Sequence, residues 1–402
     1  MKAIKGGLSA VKNVQTSGVH AGFKKEDKDL ALIYFPKGAT VAGVFTKNLI
    51  VAHPVLYDQK LLKEKSQFKA VLINSGNANV SNGAQGDQDV LMMAEETAKK
   101  LTILPEEVLV SSTGIIGMPM NLEPLESGLE QAVRTLNNSD STEAAQAIMT
   151  TDTKIKQLSY ALKIGDETIH IGAMIKGAGM IHPNMGTMLG YITTDLAVPQ
   201  DQLQSILIDA TNKSFNLMTV DGDTSTNDTV LLATTNEIEL ELTEKVVSEF
   251  AKAVTTVCQE LAKMVAADGE GMTKFIEVNV DSAATEVDAT KVAKTVAVSS
   301  LVKTAIYGGD ANWGRVLMAI GNSEPSELDP YSLSISFASV AGEVLVCQNG
   351  QGVSFSEAKA TEILNEEEIE INIGLGVGDA HSSVWTCDMS LDYIKINSDY
   401  RS

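Results

Sequence analysis

The stretch "KGAGMIHPNMGTMLGYITTD" (Lys176–Asp195) does not suit regular secondary structure along its whole length. Gly177, Gly179, Pro183 and Gly186 would break a helix and interrupt a strand. Apolar residues nevertheless flank it, Ile171 to Ile175 before and Met188 to Ile192 after. A breakable segment thus stands in the middle of what reads as core. Within it, Gly186 precedes Thr187. A glycine leaves its carbonyl open to attack, and a strained peptide bond there lets the Thr187 hydroxyl attack the carbonyl of Gly186. An N-to-O acyl shift and hydrolysis would cut the chain and leave Thr187 as a new N-terminus. Its α-amine, with a pKa of about 8, could then act as general base for its own hydroxyl. By spacing alone, a Gly-Thr pair in a loop is a plain turn more often than a cleavage site.

Outward from this stretch, several elements are readable. "LALIYF" (Leu30–Phe35) and "AVLINSGNANV" (Ala70–Val80) are predicted as buried strands. Asp87 is expected to cap a helix through "QDVLMMAEETAKKL", and Pro199 to open one through "PQDQLQSILIDATNKS". "EVLVSSTGIIG" is a strand entering a glycine loop. "LSYALKIGDETIHIGAMI" alternates on both sides of Gly165-Asp166, a hairpin pattern. Val246, Val247, Phe250, Val254, Val257, Leu261 and Val265 recur at helical spacing and end at Gly269. A second hairpin is expected in "SLSISFASVAGEVLVCQNG", then a helix and a strand in "SEAKATEILNEEEIEINIGLG". Strands and long helices mix without regular alternation, which points to an α+β protein.

The 402 residues exceed one small core, so one large or two intergrown units are expected. No apolar run is long enough for a membrane helix, and the first residues lack an apolar signal core. Cys258, Cys347 and Cys387 are few, odd in number and far apart, as in a reduced cytoplasm. A formal charge of −21 repels a phosphate backbone, so nucleic acid is not an expected partner, and the charge reads foremost as a well-solvated surface; without a long apolar run no membrane partner is expected either.

The five histidines, His20, His53, His170, His182 and His381, form no HxxxH or HExxH pattern, and no cysteine stands at metal-ligand spacing. No metal is expected. No nucleophile elbow and no phosphate loop occur, and "GLGVGD" (Gly374–Asp379) is read as a turn. "TVDGDTSTNDT" lacks the glutamate and spacing of a calcium loop and is read as a hydrogen-bonded turn network.

The Lys176–Asp195 stretch resembles the self-cleavage motif of the ornithine acetyltransferase family, also called glutamate N-acetyltransferases or bifunctional arginine-biosynthesis proteins. The resemblance covers nearly the whole chain. "GVFTKN" (Gly43–Asn48), "NSGNAN" (Asn74–Asn79), "SSTGIIG" (Ser111–Gly117), "MTTDT" (Met149–Thr153), "TVDGDTSTNDTV" (Thr219–Val230), "DGEGMTK" (Asp268–Lys274), "GGDANWGR" (Gly308–Arg315) and "VWTCDMSLDYIKINSDYRS" (Val384–Ser402) are similar to family signatures, in family order. One position departs: the family usually has alanine before the nucleophile, where this chain has Gly186. Glycine is smaller, but its freedom lowers the population of a strained conformer.

The resemblance implies a self-cleaving αββα sandwich shared with self-processing aminopeptidases, with fragments 1–186 and 187–402 on one core. It implies an acetyltransferase moving acetyl from N2-acetyl-L-ornithine to L-glutamate, ping-pong through an acetyl-threonine ester, in cyclic arginine biosynthesis. Thr187 would be the nucleophile, Thr113 and Gly114 the oxyanion hole, and Thr150, Lys176, Thr187, Glu270, Asn397 and Ser402 the substrate contacts. No cofactor is implied, and acetyl-CoA is open as a co-substrate. The implied assembly is two alpha and two beta fragments in the cytoplasm. "YIKIN" is expected as a strand that ties the tail down. Two alternatives stay open: a self-processing threonine-nucleophile aminopeptidase or amidase, and an inactive binding protein.

Overall fold

The computed structural model describes residues 1–182 and 188–399. The first nine strands are β1 (Lys2–Ala3), β2 (Gln15–Val19), β3 (Leu30–Phe45), β4 (Gln67–Asn77), β5 (Val108–Ile115), β6 (Lys156–Ile164), β7 (Glu167–Lys176), β8 (Leu189–Leu196) and β9 (Thr229–Ile238). They form one sheet, ordered β1-β6-β7-β8-β9-β3-β4-β5, with β2 also paired to β3.

β3 turns this sheet into two layers. Its first half pairs with β2 and β4, its second half with β9. The pairing with β4 shifts between Tyr34 and Ala39, around Pro36, which has no N–H for a ladder, and Gly38 at φ +83°. The predicted strand Leu30–Phe35 therefore continues through a bulge to Phe45. Alternate residues explain the layering. Ala31, Ile33, Phe35, Val71, Ile73 and Leu109 from one layer share a core with Met174, Leu189, Tyr191 and Leu231 from the other. The opposite face of the first layer packs on α2 (Gly83–Leu101) and α3 (Leu125–Arg134), which follow α1 (His53–Glu64). The opposite face of the second packs on α5 (Gln200–Asn212) and α6 (Glu244–Ala266), beyond the short α4 (Thr142–Ala147). The order is helix, sheet, sheet, helix, the αββα sandwich expected.

The Gly165-Asp166 hairpin joins β6 to β7, and Pro199 directly precedes α5. β7 pairs with β8 from Ile171↔Thr194 to Lys176↔Leu189. Every residue of β8 is buried, as a strand flanked on both faces requires. Chain on both sides of residues 183–187 thus contributes to one core.

Beyond α6 comes a second sheet: β10 (Phe275–Ala283), β11 (Ser334–Ser339), β12 (Gly342–Gln348), β13 (Gln351–Gly352), β14 (Glu368–Gly374) and β15 (Ala380–Cys387), ordered β13-β12-β11-β14-β10-β15. It packs on α7 (Glu286–Val298), α8 (Ser300–Tyr307), α9 (Trp313–Asn322) and α10 (Glu357–Leu364). The chain then forms α11 (Leu391–Asp399).

Two local expectations are corrected. Asp87 does not cap α2, which starts earlier at Gly83; its carboxylate instead meets His53 Nδ1 at 2.7 Å. "YIKIN" is not a strand but part of α11, where Lys395 and Asp392 form an ion pair three residues apart. The three cysteines are buried, unpaired thiols. Among the described residues no helix is long and apolar enough to cross a membrane.

Candidate active site

The ends of β4 and β5 create the first wall of the site. Gly76 and Gly114 face each other across the two parallel strands, where the register shifts. At Gly114 φ is +131°, and a Cβ there would lie 2.3 Å from the Gly76 carbonyl carbon. Only glycine lets the backbones approach so closely. Thr113, next to this close approach, still pairs with Ser75 and Asn77, and it is half-buried near the end of β5. Amides fix this turn from behind. Ser112 Oγ donates to Asn74 Oδ1 at 2.6 Å, and Asn74 Nδ2 to the Asn77 carbonyl at 2.9 Å. Asn227 Nδ2 donates to the carbonyls of Ala78 at 2.6 Å and Ser112 at 2.8 Å.

Lys176 ends β7 and is almost fully buried. Its ammonium donates to Thr113 Oγ1 at 3.4 Å. Burial pushes its pKa down, opposed by Asp152 most strongly and then by Asp228 and Glu270, while Lys156 adds to the fall. Glu270 follows α6 on the "DGEG" loop. Its N–H donates to the Ala178 carbonyl at 2.9 Å. Its carboxylate lies where a Gly179 Cβ would be, 2.4 Å away, so Gly179 is the room that Glu270 occupies. Asn397 Nδ2, on α11, donates to Glu270 Oε2 at 2.8 Å.

These side chains meet around one cavity of about 160 Å³. Thr113, Gly114, Thr150, Lys176, Glu270 and Asn397 all line it, so every expected site residue within the described region faces the same space. Gly186, Thr187 and Ser402 lie outside the described residues. A buried cation and a carboxylate around one small cavity complement a molecule that carries its own carboxylate and ammonium, as a free amino acid does.

Ala78, Thr151, Met180, Ser225, Thr226 and Asn227 also line the cavity and had no role assigned from the sequence. "NSGNAN" and "TSTND" signalled Ala78, Ser225, Thr226 and Asn227, as dense amide and hydroxyl clusters at strand ends. The "TVDGDTSTND" segment is the turn network expected, and it fastens the residues just before 183. Asp221 accepts from the N–H groups of Met180 at 2.6 Å and Ile181 at 2.9 Å. Thr219 Oγ1 donates to the Ile181 carbonyl, and Thr224 Oγ1 to the His182 carbonyl at 2.7 Å. His182 Nδ1 lies 3.1 Å from Thr219 Oγ1, and burial pushes its pKa down. Asp228, fully enclosed, has its carboxyl pKa pushed well up by burial, and it lines an adjoining cavity with Thr113, Lys176 and Met188. Among the described residues no group of three or more His, Cys, Asp or Glu side chains is placed to hold a metal ion.

An α+β sandwich whose strand ends present a hydroxyl, a backbone turn and a buried ammonium to an amino-acid-sized cavity suits an enzyme that transfers a group to or from a small charged molecule. The model of the ArgJ family matches residues 15–402. Arginine biosynthesis bifunctional protein ArgJ of Caldanaerobacter subterraneus subsp. tengcongensis is 42% identical, with both chains covered in full. The protein of the same name from Thermotoga neapolitana is 45% identical over 96% of this chain and 98% of its own. A solved structure of ornithine acetyltransferase complexed with ornithine, from Mycobacterium tuberculosis, is 36% identical, covers 45% of this chain and 96% of that one, and has a TM-score of 0.41. The chain belongs to the ArgJ family, and it is an acetyltransferase of arginine biosynthesis acting on small molecules. The hydrolase and inactive-protein alternatives gain nothing from these relatives.

Proposed function

We propose that the chain cuts itself between Gly186 and Thr187, and that Thr187 then carries acetyl from N2-acetyl-L-ornithine to L-glutamate. The observation that supports this reading most is the convergence of Thr113, Gly114, Thr150, Lys176, Glu270 and Asn397 on one cavity, from segments on both sides of residues 183–187. In this reading Thr113 Oγ and the Gly114 N–H face the oxyanion that develops as the acetyl carbonyl is attacked. Lys176 holds the α-carboxylate. Glu270 holds the α-amino group of the free amino acid, and that site's neighbourhood receives the acetamido nitrogen of the donor. Acetylornithine and glutamate share this frame, so one cavity reads both in turn.

The fragments 1–186 and 187–402 stay together because β7 and β8 are adjacent in the sheet. The assembly is two of each fragment, in the cytoplasm, without a cofactor. The relatives are called bifunctional, and acetyl-CoA is proposed as a second acetyl donor for glutamate.

Intact-mass analysis tests the reading. The purified chain should give two masses that split at Gly186-Thr187, and Thr187→Ala should give one mass and transfer at background level. After rapid quenching with acetylornithine alone, the 187–402 fragment should gain one acetyl group at its first residue. Adding glutamate should remove it and release acetylglutamate, with parallel initial-rate lines when both substrates are varied. Intersecting lines with an unmodified Thr187 mean direct transfer in a ternary complex. Acetyl-CoA and glutamate without acetylornithine should also yield acetylglutamate if the second donor is used.

A further inference from the structure

Beneath the cavity lies a charged bridge with no part in the roles above. Lys156, at the start of β6, is 1% exposed. Its ammonium donates to Asp152 Oδ1 at 2.7 Å and to Asp268 Oδ2 at 2.5 Å, and both of those side chains are also enclosed. Each carboxylate is fully employed. Asp152 accepts from the N–H of Thr150 at 3.0 Å and of Gly177 at 2.7 Å. Asp268 accepts from the N–H of Thr153 at 3.1 Å and of Lys154 at 3.2 Å, and from the Thr153 hydroxyl. Buried ion pairs give little net stability, because desolvation offsets their attraction. What they fix is geometry.

The geometry fixed here is the substrate frame. Asp152 holds the Thr150 backbone directly and Lys176 through its neighbour Gly177. Asp268 stands two residues before Glu270. We propose that Asp152, Lys156 and Asp268 are positioning residues that set the spacing between Lys176 and Glu270, and so the fit of the amino-acid head group. The bridge spans both sides of residues 183–187, since Asp152 and Lys156 precede them and Asp268 follows. This inference rests on the acetyl-transfer reading, because it takes Lys176 and Glu270 as the substrate contacts.

Steady-state kinetics of Asp268→Asn test it, with circular dichroism and a melt to show folding. The variant should raise the KM of acetylornithine and of glutamate about 10-fold each, with kcat within about 3-fold, since a charge-assisted bond is lost away from the Thr113 turn. Unchanged KM values in a folded variant overturn the proposal, and so does a fall in kcat at constant KM. If Asp268→Asn does not fold, Thr153→Val decides. It removes one hydroxyl from Asp268 and should raise both KM values about 3-fold; unchanged values overturn the proposal.

A further readout separates positioning from mere support. The charged groups around Lys176 are Asp152, Asp228 and Glu270, which favour its ammonium, and Lys156 and Lys24, which oppose it. Burial already lowers its pKa, so removing the Asp152 charge lowers it further. Asp152→Asn should move the alkaline limb of kcat/KM to lower pH, because the cation that binds carboxylate is lost earlier as pH rises. An unmoved limb overturns Asp152's part. If the wild type transfers no acetyl, the reading itself fails and this inference with it. A working wild type beside an unaffected Asp268→Asn sinks the inference alone.

Discussion

Thr113 and Asn397 face the same cavity from unlike kinds of structure. Thr113 lies near the end of β5, just past its buried part, and its surroundings are tied by Ser112, Asn74 and Asn227 before any ligand arrives. Asn397 sits on α11, an exposed helix with no buried residue, and reaches the site through a single bond to Glu270. The strand-end wall is rigid because every amide behind it is already satisfied. The helix wall is solvent-exposed along its length, and in the proposed reading it is the wall that adjusts as one amino acid replaces another. The difference suggests a division of labour: groups that must meet a transition state stand on the rigid wall, and groups that grade affinity stand on the other.

The sharpest attempt to break this contrast is at the rigid wall. Thr113→Ala should lower kcat for acetyl transfer by roughly 10²–10³, the usual loss for one oxyanion donor. Binding of acetylornithine should change little, because the oxyanion exists mainly in the transition state. Calorimetric titration with a slow substrate analogue, beside turnover rates, checks both halves. A large loss of affinity at unchanged turnover would make Thr113 a substrate ligand, and the rigid wall would lose its special role. Thr113 Oγ1 also accepts from Lys176 Nζ, so a moderate KM rise shared by both substrates would point to Lys176 having moved.

Glu270 stands between the two walls and should show an intermediate effect. Glu270→Gln preserves the shape that fills the space beside Gly179, and an amide oxygen can still accept from Asn397 Nδ2. Only the charge is removed. The expected loss is about 1.5–3 kcal/mol in binding of both acetylornithine and glutamate, with self-cleavage intact. Loss for one substrate alone would mean two separate pockets.

Much of the rigid wall was legible in the sequence. Glycines, amides and hydroxyls crowd "NSGNAN", "SSTGIIG" and "KGAG" because strand ends that meet a ligand need turns and satisfied donors. Buried strands, the Gly165-Asp166 hairpin and the period of α6 were readable for the same local reason. Long-range pairing was not. β10 lies parallel to β14 and antiparallel to β15, partners about ninety residues and more away in sequence, and local periodicity carries no trace of them. Nor could the fold of β3 over Pro36 into two layers be read, since a proline inside a strand normally argues for its end. The Asp152–Lys156–Asp268 bridge stayed hidden because a lysine in a soluble chain is read as surface, and its second partner is over a hundred residues distant. "YIKIN" was misread because alternation over five residues cannot separate a strand from one exposed turn of helix.

The smallest effect is expected at the helix wall, and it tests the contrast most finely. Asn397→Ala removes the amide that donates to Glu270 Oε2 at 2.8 Å. Because Asn397 is exposed, water can replace the lost donor, and the net cost of such a bond is about 0.5–1.5 kcal/mol. KM for both substrates should rise by about 2–10-fold while kcat holds, since nothing on the Thr113 side has moved. The same variant in an Asp268→Asn background should show coupling. Both changes loosen Glu270, one at its carboxylate and one at its backbone, so the second loss should be smaller than it is alone. Strict additivity would mean that Asn397 meets the substrate without acting through Glu270. A single-variant loss as large as that of Glu270→Gln would mean that α11 is as firmly placed as the strand ends, and the two walls would then differ in exposure only.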